Sequence, residues 1–328
     1  MMTYTLSTSF GEEVHITNYG ARIIKWQTQV NEQQRNIILG YENTSDYLND
    51  KYYLGAIVGP YANRIKDSRI DNLNKDNIAI NLASNEGKHQ LHGGPLALSH
   101  QLWDVVSQSK NTLILSCILK DGFNGYPGPI HFVVTYKLKE KGKAEVSLLT
   151  NIKITSEKNT IIGPTTHPYF NLSGTRENVS EHYLQLHANA YTELDQSNIP
   201  TGRVIDINNN DKFNFKNKRT LGFKGGIHKL DDNFIIQSIL SKKTIEQAVL
   251  SSPNNDIHLH VLSNYPCLQV YTGEHLSAPF IAHQGVCLEP QFAPNSPNQS
   301  NFIFELTTPE KPLEVSIEYR LVKPKVLG

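Results

Sequence analysis

The sequence predicts an all-β protein, a large antiparallel β-sandwich, and three observations carry that reading. Short runs of β-branched and aromatic residues alternate with polar ones at a period near two, the pattern of strands with one buried face. Turn signals rich in glycine, proline and asparagine separate these runs. Helical periodicity is weak along the whole chain, which leaves no crossover helices for a parallel sheet and favours two packed antiparallel sheets.

In chain order, strands are expected at VHITN (14–18), IIKWQTQV (23–30), TLILSCIL (112–119), HFVVTYKL (131–138) and AEVSLLTNIKIT (144–155). The link KEKGK (139–143) contains a glycine and reads as a hairpin turn, so its two strands should pair antiparallel. Later strands are expected at YLQLHA (183–188), TIEQAVLSS (244–252), IHLHVLS (257–263), CLQVYTG (267–273) and LEVSIEYRLV (313–322). The sequence shows no clear repeat or low-complexity tract, and its longest linker is the asparagine-rich INNNDKFN (207–214). Residues 1–328 are therefore expected to form one domain.

Composition narrows the possible partners. Lysine plus arginine and aspartate plus glutamate both number 31, so there is no basic field to attract nucleic acid or an anionic membrane surface. A small neutral partner fits better. The first residues, MMTYTLSTSFGEEV, lack the basic start and apolar core of a signal peptide, and no run reaches the roughly 18 apolar residues that span a bilayer. A cytoplasmic location is the expectation. Cys117, Cys267 and Cys287 are odd in number, far apart and free of any C-x-x-C pair, so they read as buried small apolar residues. Nothing in the sequence specifies an oligomeric state.

Five stretches carry groups suited to chemistry. In GPYANRI (59–65) a turn presents Asn63 and Arg64, an amide beside a guanidinium that can fork onto vicinal hydroxyls or a carboxylate. In HQLHGG (89–94) His92 precedes two glycines, which permit close backbone approach of a ligand. His89 and His92, like His258 and His260, are two potential metal ligands without a convincing third, so no metal is expected. His258 and His260 read as sheet-surface residues. In IIGPTTHPYFNLSG (161–174) Pro168 holds His167 on an extended segment beside Tyr169 and Phe170, aromatic rings that offer a sugar-stacking wall. In KLDDNF (229–234) adjacent Asp231 and Asp232 would face opposite sides of a strand, so only one can enter a given pocket. In LQVYTGEH (268–275) Gln269 and Tyr271 share a face.

The last notable stretch, GVCLEPQFAPNSPNQ (285–299), places Glu289 between an apolar run and Pro290, which suggests a strand end on a loop stiffened by Pro290, Pro294 and Pro297. Taken alone, Glu289 is also consistent with an ordinary surface acid.

Together these stretches resemble the aldose 1-epimerase, or galactose mutarotase, family. GPYANRI, LHGG, DGFNGYPG (121–128), THPYFNL, YTELDQSNIPTG (191–202), LDDNF, LQVYTG and CLEPQFAPNSPNQ follow the family's order from about residue 55 to 300. The resemblance implies a large antiparallel β-sandwich that interconverts the α and β anomers of free aldohexoses such as galactose and glucose, with no cofactor. It implies Glu289 as general base and His167 as general acid, with Arg64, His92, Asp231, Gln269 and neighbouring Asn63 holding the sugar. Departures from the usual pattern are Pro60, Asp232, Glu274 and the PLALSHQLW that follows LHGG; they bear on substrate preference. A hexose-6-phosphate 1-epimerase would call for an arginine cluster, yet Arg64 is the one arginine in these stretches. A non-catalytic carbohydrate-binding protein would need no acid–base pair.

Overall fold

The computed structural model describes residues 1–71 and 79–324. Two antiparallel sheets dominate it. The larger has nine strands in the order Asp104–Gln108, Thr112–Leu119, Ile130–Lys141, Glu145–Ser156, Leu313–Val322, His258–Ser263, Ile245–Ser251, Tyr183–Leu186 and Arg219–Thr220. The smaller has six: Tyr169–Phe170, Val286–Gln291, Cys267–Tyr271, Asp231–Ile235, Ala190–Leu194 and Pro200–Asp206. A four-stranded meander, Thr3–Ser7, Glu13–Thr17, Arg22–Val30 and Gln33–Asn36, joins the same core through Leu6, Ile16, Ile23 and Trp26. The helical elements among the described residues are all short 3₁₀ turns.

Period-two sequence patterning sorts each strand into faces. In Leu313–Val322 the residues Leu313, Val315, Ile317, Tyr319 and Leu321 are buried and alternate with more exposed ones. The expected hairpin is formed, with Lys141 opposite Glu145 and eleven further paired positions behind them. The sheets meet where Phe170 packs on Tyr319, ring centroids 4.9 Å apart, and where the Tyr319 hydroxyl donates to the carbonyl of Leu288 at 2.9 Å. Phe234, Leu268, Val270 and Leu288 fill the core side of the six-stranded sheet.

Glu289 lies inside the strand Val286–Gln291, not at a strand end on a loop as its proline neighbour suggests. Pro290 is tolerated there because the flanking strand Tyr169–Phe170 reaches only as far as Cys287. On that side its missing N–H breaks no ladder bond. The later prolines serve another segment: Asn295 N–H donates to the Arg64 carbonyl at 2.8 Å, and the Asn295 side chain accepts from Lys66 N–H at 3.1 Å.

One buried ion pair ties the meander to the segment that follows it. Arg22 Nη1 lies 2.6 Å from Asp50 Oδ2, both side chains are fully buried, and the guanidinium also donates to the carbonyls of Leu54 and Ser99. Asp50 in turn accepts from Leu54 N–H, Tyr52 N–H and the Tyr41 hydroxyl. Replacing Arg22 with Met strands a buried carboxylate, and we expect a loss of roughly 3–5 kcal/mol in urea unfolding. Breaking the exposed Lys153–Glu314 pair by Lys153→Ala should leave the midpoint unchanged. Equal effects of the two changes would refute this ranking.

Candidate active site on the six-stranded sheet

The outward face of the small sheet is set by register. Asn233 lies opposite Gln269, and Gln269 opposite Glu289, so the three side chains share one face. Asp231 and Tyr271 are paired one step along, as are Tyr169 and Cys287. The intervening residues point into the core. Asp231 and Asp232 accordingly separate, with Asp231 in the pocket and Asp232 buried, its carboxyl pushed up to about 6 chiefly by burial. Phe170 likewise turns to the core, leaving Tyr169 as the aromatic wall.

Asn63, Arg64, His92, His167, Asp231, Gln269 and Glu289 all line a single pocket of about 170 Å³. Their backbones are clamped from several directions. His167 N–H donates to the Ala56 carbonyl and its carbonyl accepts from Gly55 N–H, both at 2.9 Å. Its Nε2 lies 3.5 Å from Glu289 Oε1, and its Nδ1 lies 3.5 Å from Cys287 Sγ. Tyr169 and Tyr53 flank the imidazole, with centroids at 5.1 and 6.0 Å.

His92 Nδ1 faces the backbone N–H of Asn63 at 3.1 Å. Since that N–H can only donate, Nδ1 must accept, and the proton of neutral His92 sits on Nε2. Burial, with His167 and Arg64 nearby, holds His92 well below the usual histidine range and so keeps it neutral. The glycines after His92 have a structural task. A Cβ on Gly93, at φ +90°, would sit 2.1 Å from the Gly59 carbonyl oxygen, so a close approach of the chain to itself requires glycine there.

Arg64 is gripped by a carboxylate that carries no local sequence signal. Glu86 accepts from Nε at 2.7 Å and from Nη2 at 2.9 Å, while Asp231 Oδ2 stands 3.7 Å from Nη1. Gln269 Nε2 donates to Asp231 Oδ1 at 2.7 Å. Gln269 Oε1 and Glu289 Oε2 are buried without a protein partner, two acceptors free to meet donors on a bound molecule. Lys51, Tyr52, Tyr53, Glu86 and His275 also line the pocket and are not flagged by the sequence motifs. Cys287 was accessible to reasoning, because it lies two residues before Glu289 on the same strand face.

Burial sets the protonation of the central pair. It pushes Glu289 well above the usual carboxylate range, reinforced by Asp231, and lowers His167 to about 4. Burial therefore favours the neutral form of both groups, a carboxylic acid facing an imidazole, with one titrating proton between them. The paired histidines of the sequence do not converge on a metal site. His89 accepts from Asp67 N–H, while His258 and His260 face Ser251 and Glu246 on the other sheet. The group among the described residues that could hold an ion is His167, Cys287 and Glu289, whose ligand atoms lie within 4.8 Å of one another. No described helix is long and apolar enough to cross a membrane.

A two-sheet antiparallel sandwich with its pocket on the face of the smaller sheet is the galactose mutarotase-like architecture. Comparison with known proteins agrees and goes further. Residues 2–320 match the family profile described as aldose 1-epimerase. The chain is 31% identical to the aldose 1-epimerase of Haemophilus influenzae, covering 90% of this chain and 87% of that protein. It is 30% identical to the galactose mutarotase of Sus scrofa, covering 88% and 85%. Among solved structures, a GalM/aldose epimerase homologue from C. elegans superposes with a TM-score of 0.89 at 25% identity, over 99% of both chains. The chain belongs to the aldose 1-epimerase family, whose members are isomerases.

The surroundings of the three cysteines give a direct check. All are buried, and burial pushes Cys117 and Cys267 up to about 12 and Cys287 well above its ordinary value. The native protein should react with no equivalents of Ellman's reagent at pH 8 over minutes, and the unfolded protein with three. Rapid native labelling of Cys287 would contradict the closed packing behind Glu289.

Proposed function

We propose that the protein interconverts the α and β anomers of a free aldohexose such as galactose or glucose, with Glu289 as general base and His167 as general acid. The reading rests on one observation: the 3.5 Å approach of His167 Nε2 to Glu289 Oε1, two nearly buried side chains at the pocket wall. The pocket's volume is about that of six liquid waters, a fit for one pyranose ring.

In the reactive arrangement the shared proton moves from Glu289 to His167, which leaves the net charge of the pair unchanged. Glu289 removes the proton from the C1 hydroxyl as His167 protonates the ring oxygen. The C1–O5 bond breaks and an aldehyde forms. Rotation about C1–C2 presents the other carbonyl face, and the same groups acting in reverse close the ring. Asn63, Arg64, His92, Asp231 and Gln269 hold the remaining hydroxyls. Tyr169 and Tyr53 supply apolar walls.

Charge favours a free sugar over its phosphate. Glu86 and Asp231 face the pocket against Arg64 and Lys51, and Arg64 is already committed to a two-pronged bond with Glu86. A phosphate would have to displace a carboxylate partner. A purely sugar-binding role would bury an acid and an imidazole face to face for no chemical return.

Polarimetry or NMR exchange on freshly dissolved α-galactose and α-glucose tests the assignment. Glu289→Gln or His167→Asn should each lower kcat by about 10²–10⁴. Wild-type rates in either variant would remove that residue from the mechanism, and activity confined to glucose 6-phosphate would select the phosphate reading. The pH profile follows from the single shared proton. On the acid side kcat/KM should fall near pH 4, where His167 gains a proton while Glu289 keeps its own. On the alkaline side it should fall above the ordinary carboxylate range, where the last proton leaves Glu289. A profile without limbs would contradict the pairing.

A further inference from the structure

The two histidines of the pocket meet different partners at Nδ1. His92 Nδ1 faces a backbone N–H, which can only donate, and this fixes its proton on Nε2. His167 Nδ1 faces the sulfur of Cys287 at 3.5 Å, while its Nε2 faces Glu289 Oε1, also at 3.5 Å. The imidazole is thus bracketed by two residues of one strand, Cys287 and Glu289, which alternation places on the same face. Cys287 is brought there by the ladder, where it pairs with Tyr169, the residue next but one to His167.

The acid–base cycle restricts which nitrogen carries the resting proton. Nε2 has to accept the proton of Glu289 and then hand it to the ring oxygen, so the proton that stays on the imidazole throughout has to sit on Nδ1. The group opposite Nδ1 must then accept. A thiol sulfur can, and burial keeps Cys287 in that neutral form. The choice of sulfur bears on acid strength. A carboxylate at Nδ1 would stabilise the imidazolium and make it a reluctant donor, whereas a neutral sulfur orients the ring without holding its charge. The other titratable groups around the imidazole meet it as rings: Tyr53, Tyr169 and His92, with centroids 6.0, 5.1 and 5.4 Å away. Cys287 is not among the residues that line the pocket, so its effect on a sugar has to pass through His167.

We propose that Cys287 is a positioning residue: its sulfur accepts from His167 Nδ1–H and thereby keeps Nε2 open to take the proton of Glu289 and pass it to the sugar. The proposal rests on the acid–base reading of the Glu289–His167 pair. It gives the two pocket histidines opposite tautomers, Nδ1–H at His167 and Nε2–H at His92. The cycle closes on the same state, since Glu289 ends with the proton of the C1 hydroxyl and His167 ends neutral with Nδ1–H still on sulfur.

Long-range proton–nitrogen correlation spectra of protein with isotope-labelled histidines read the tautomers directly, with His167→Asn identifying the His167 signals. Wild-type His167 should show a protonated Nδ1 and a bare Nε2, and Cys287→Ala should shift it toward the Nε2–H form while His92 stays as it is. In anomer exchange Cys287→Ala should lower kcat by about tenfold with KM within about twofold of wild type, and Cys287→Ser, which retains an acceptor, should bring kcat back to within about threefold. A sulfur that merely fills space predicts the reverse order, because a buried hydroxyl costs more there than a methyl group. An Nε2–H tautomer at wild-type His167, or a higher kcat in Cys287→Ala than in Cys287→Ser, overturns the proposal. If neither galactose nor glucose is accelerated, the acid–base reading fails, and the wild-type spectrum decides the Cys287 contact by itself: Nδ1–H supports it and Nε2–H refutes it.

Discussion

The site depends on a contact that never touches it, the buried pair of Arg22 and Asp50. Asp50 accepts three further hydrogen bonds, from Leu54 N–H, Tyr52 N–H and the Tyr41 hydroxyl. These fix the course of residues 50–54, and the next residues, Gly55 and Ala56, grip both backbone groups of His167. The same carboxylate thereby sets Tyr52 at the pocket and holds Tyr41 against Phe280 beside it. A charged pair of this kind adds little to stability over an apolar filling of equal shape, but it is costly to break. Its value here lies in geometry: one buried charge aligns the meander, the His167 segment and two aromatic walls.

Against that frame the small sheet acts as a ruler. Alternation sends Glu289, Gln269 and Asp231 to one side and Leu288, Leu268 and Asp232 to the other. A one-residue slip of Val286–Gln291 would exchange Glu289 for Leu288 in the pocket. The core contacts of Leu288, Leu268 and Phe234 oppose that slip, so apolar packing on one face holds the polar constellation on the other.

Much of this was legible in the sequence. Thr112–Leu119 and Leu313–Val322 match their expected limits because hydrophobic alternation and turn residues agree at both ends. The seven residues singled out converge on one pocket. What was not legible is tertiary in origin. Glu86 reaches Arg64 from 22 positions away, and nothing beside it announces the pairing. The reading of Pro290 as a strand terminator missed because proline's cost depends on whether a neighbouring strand needs its N–H, and that neighbour is supplied by residues more than a hundred positions earlier. Gly93 of LHGG also answers to a distant group, the carbonyl of Gly59, which leaves no room for a Cβ.

The position of Leu313–Val322 has a consequence for how the molecule is made. That strand pairs along its length with Glu145–Ser156 on one side and, over Ile317–Val322, with His258–Ser263 on the other. Until it emerges from the ribosome, those two strands each present an unpaired edge inside what will become the middle of the sheet. Translation must therefore run through residue 322 before the larger sheet can close. Folding of the core is tied to a late, long-range event, and chains stalled before it expose two adhesive edges to their neighbours.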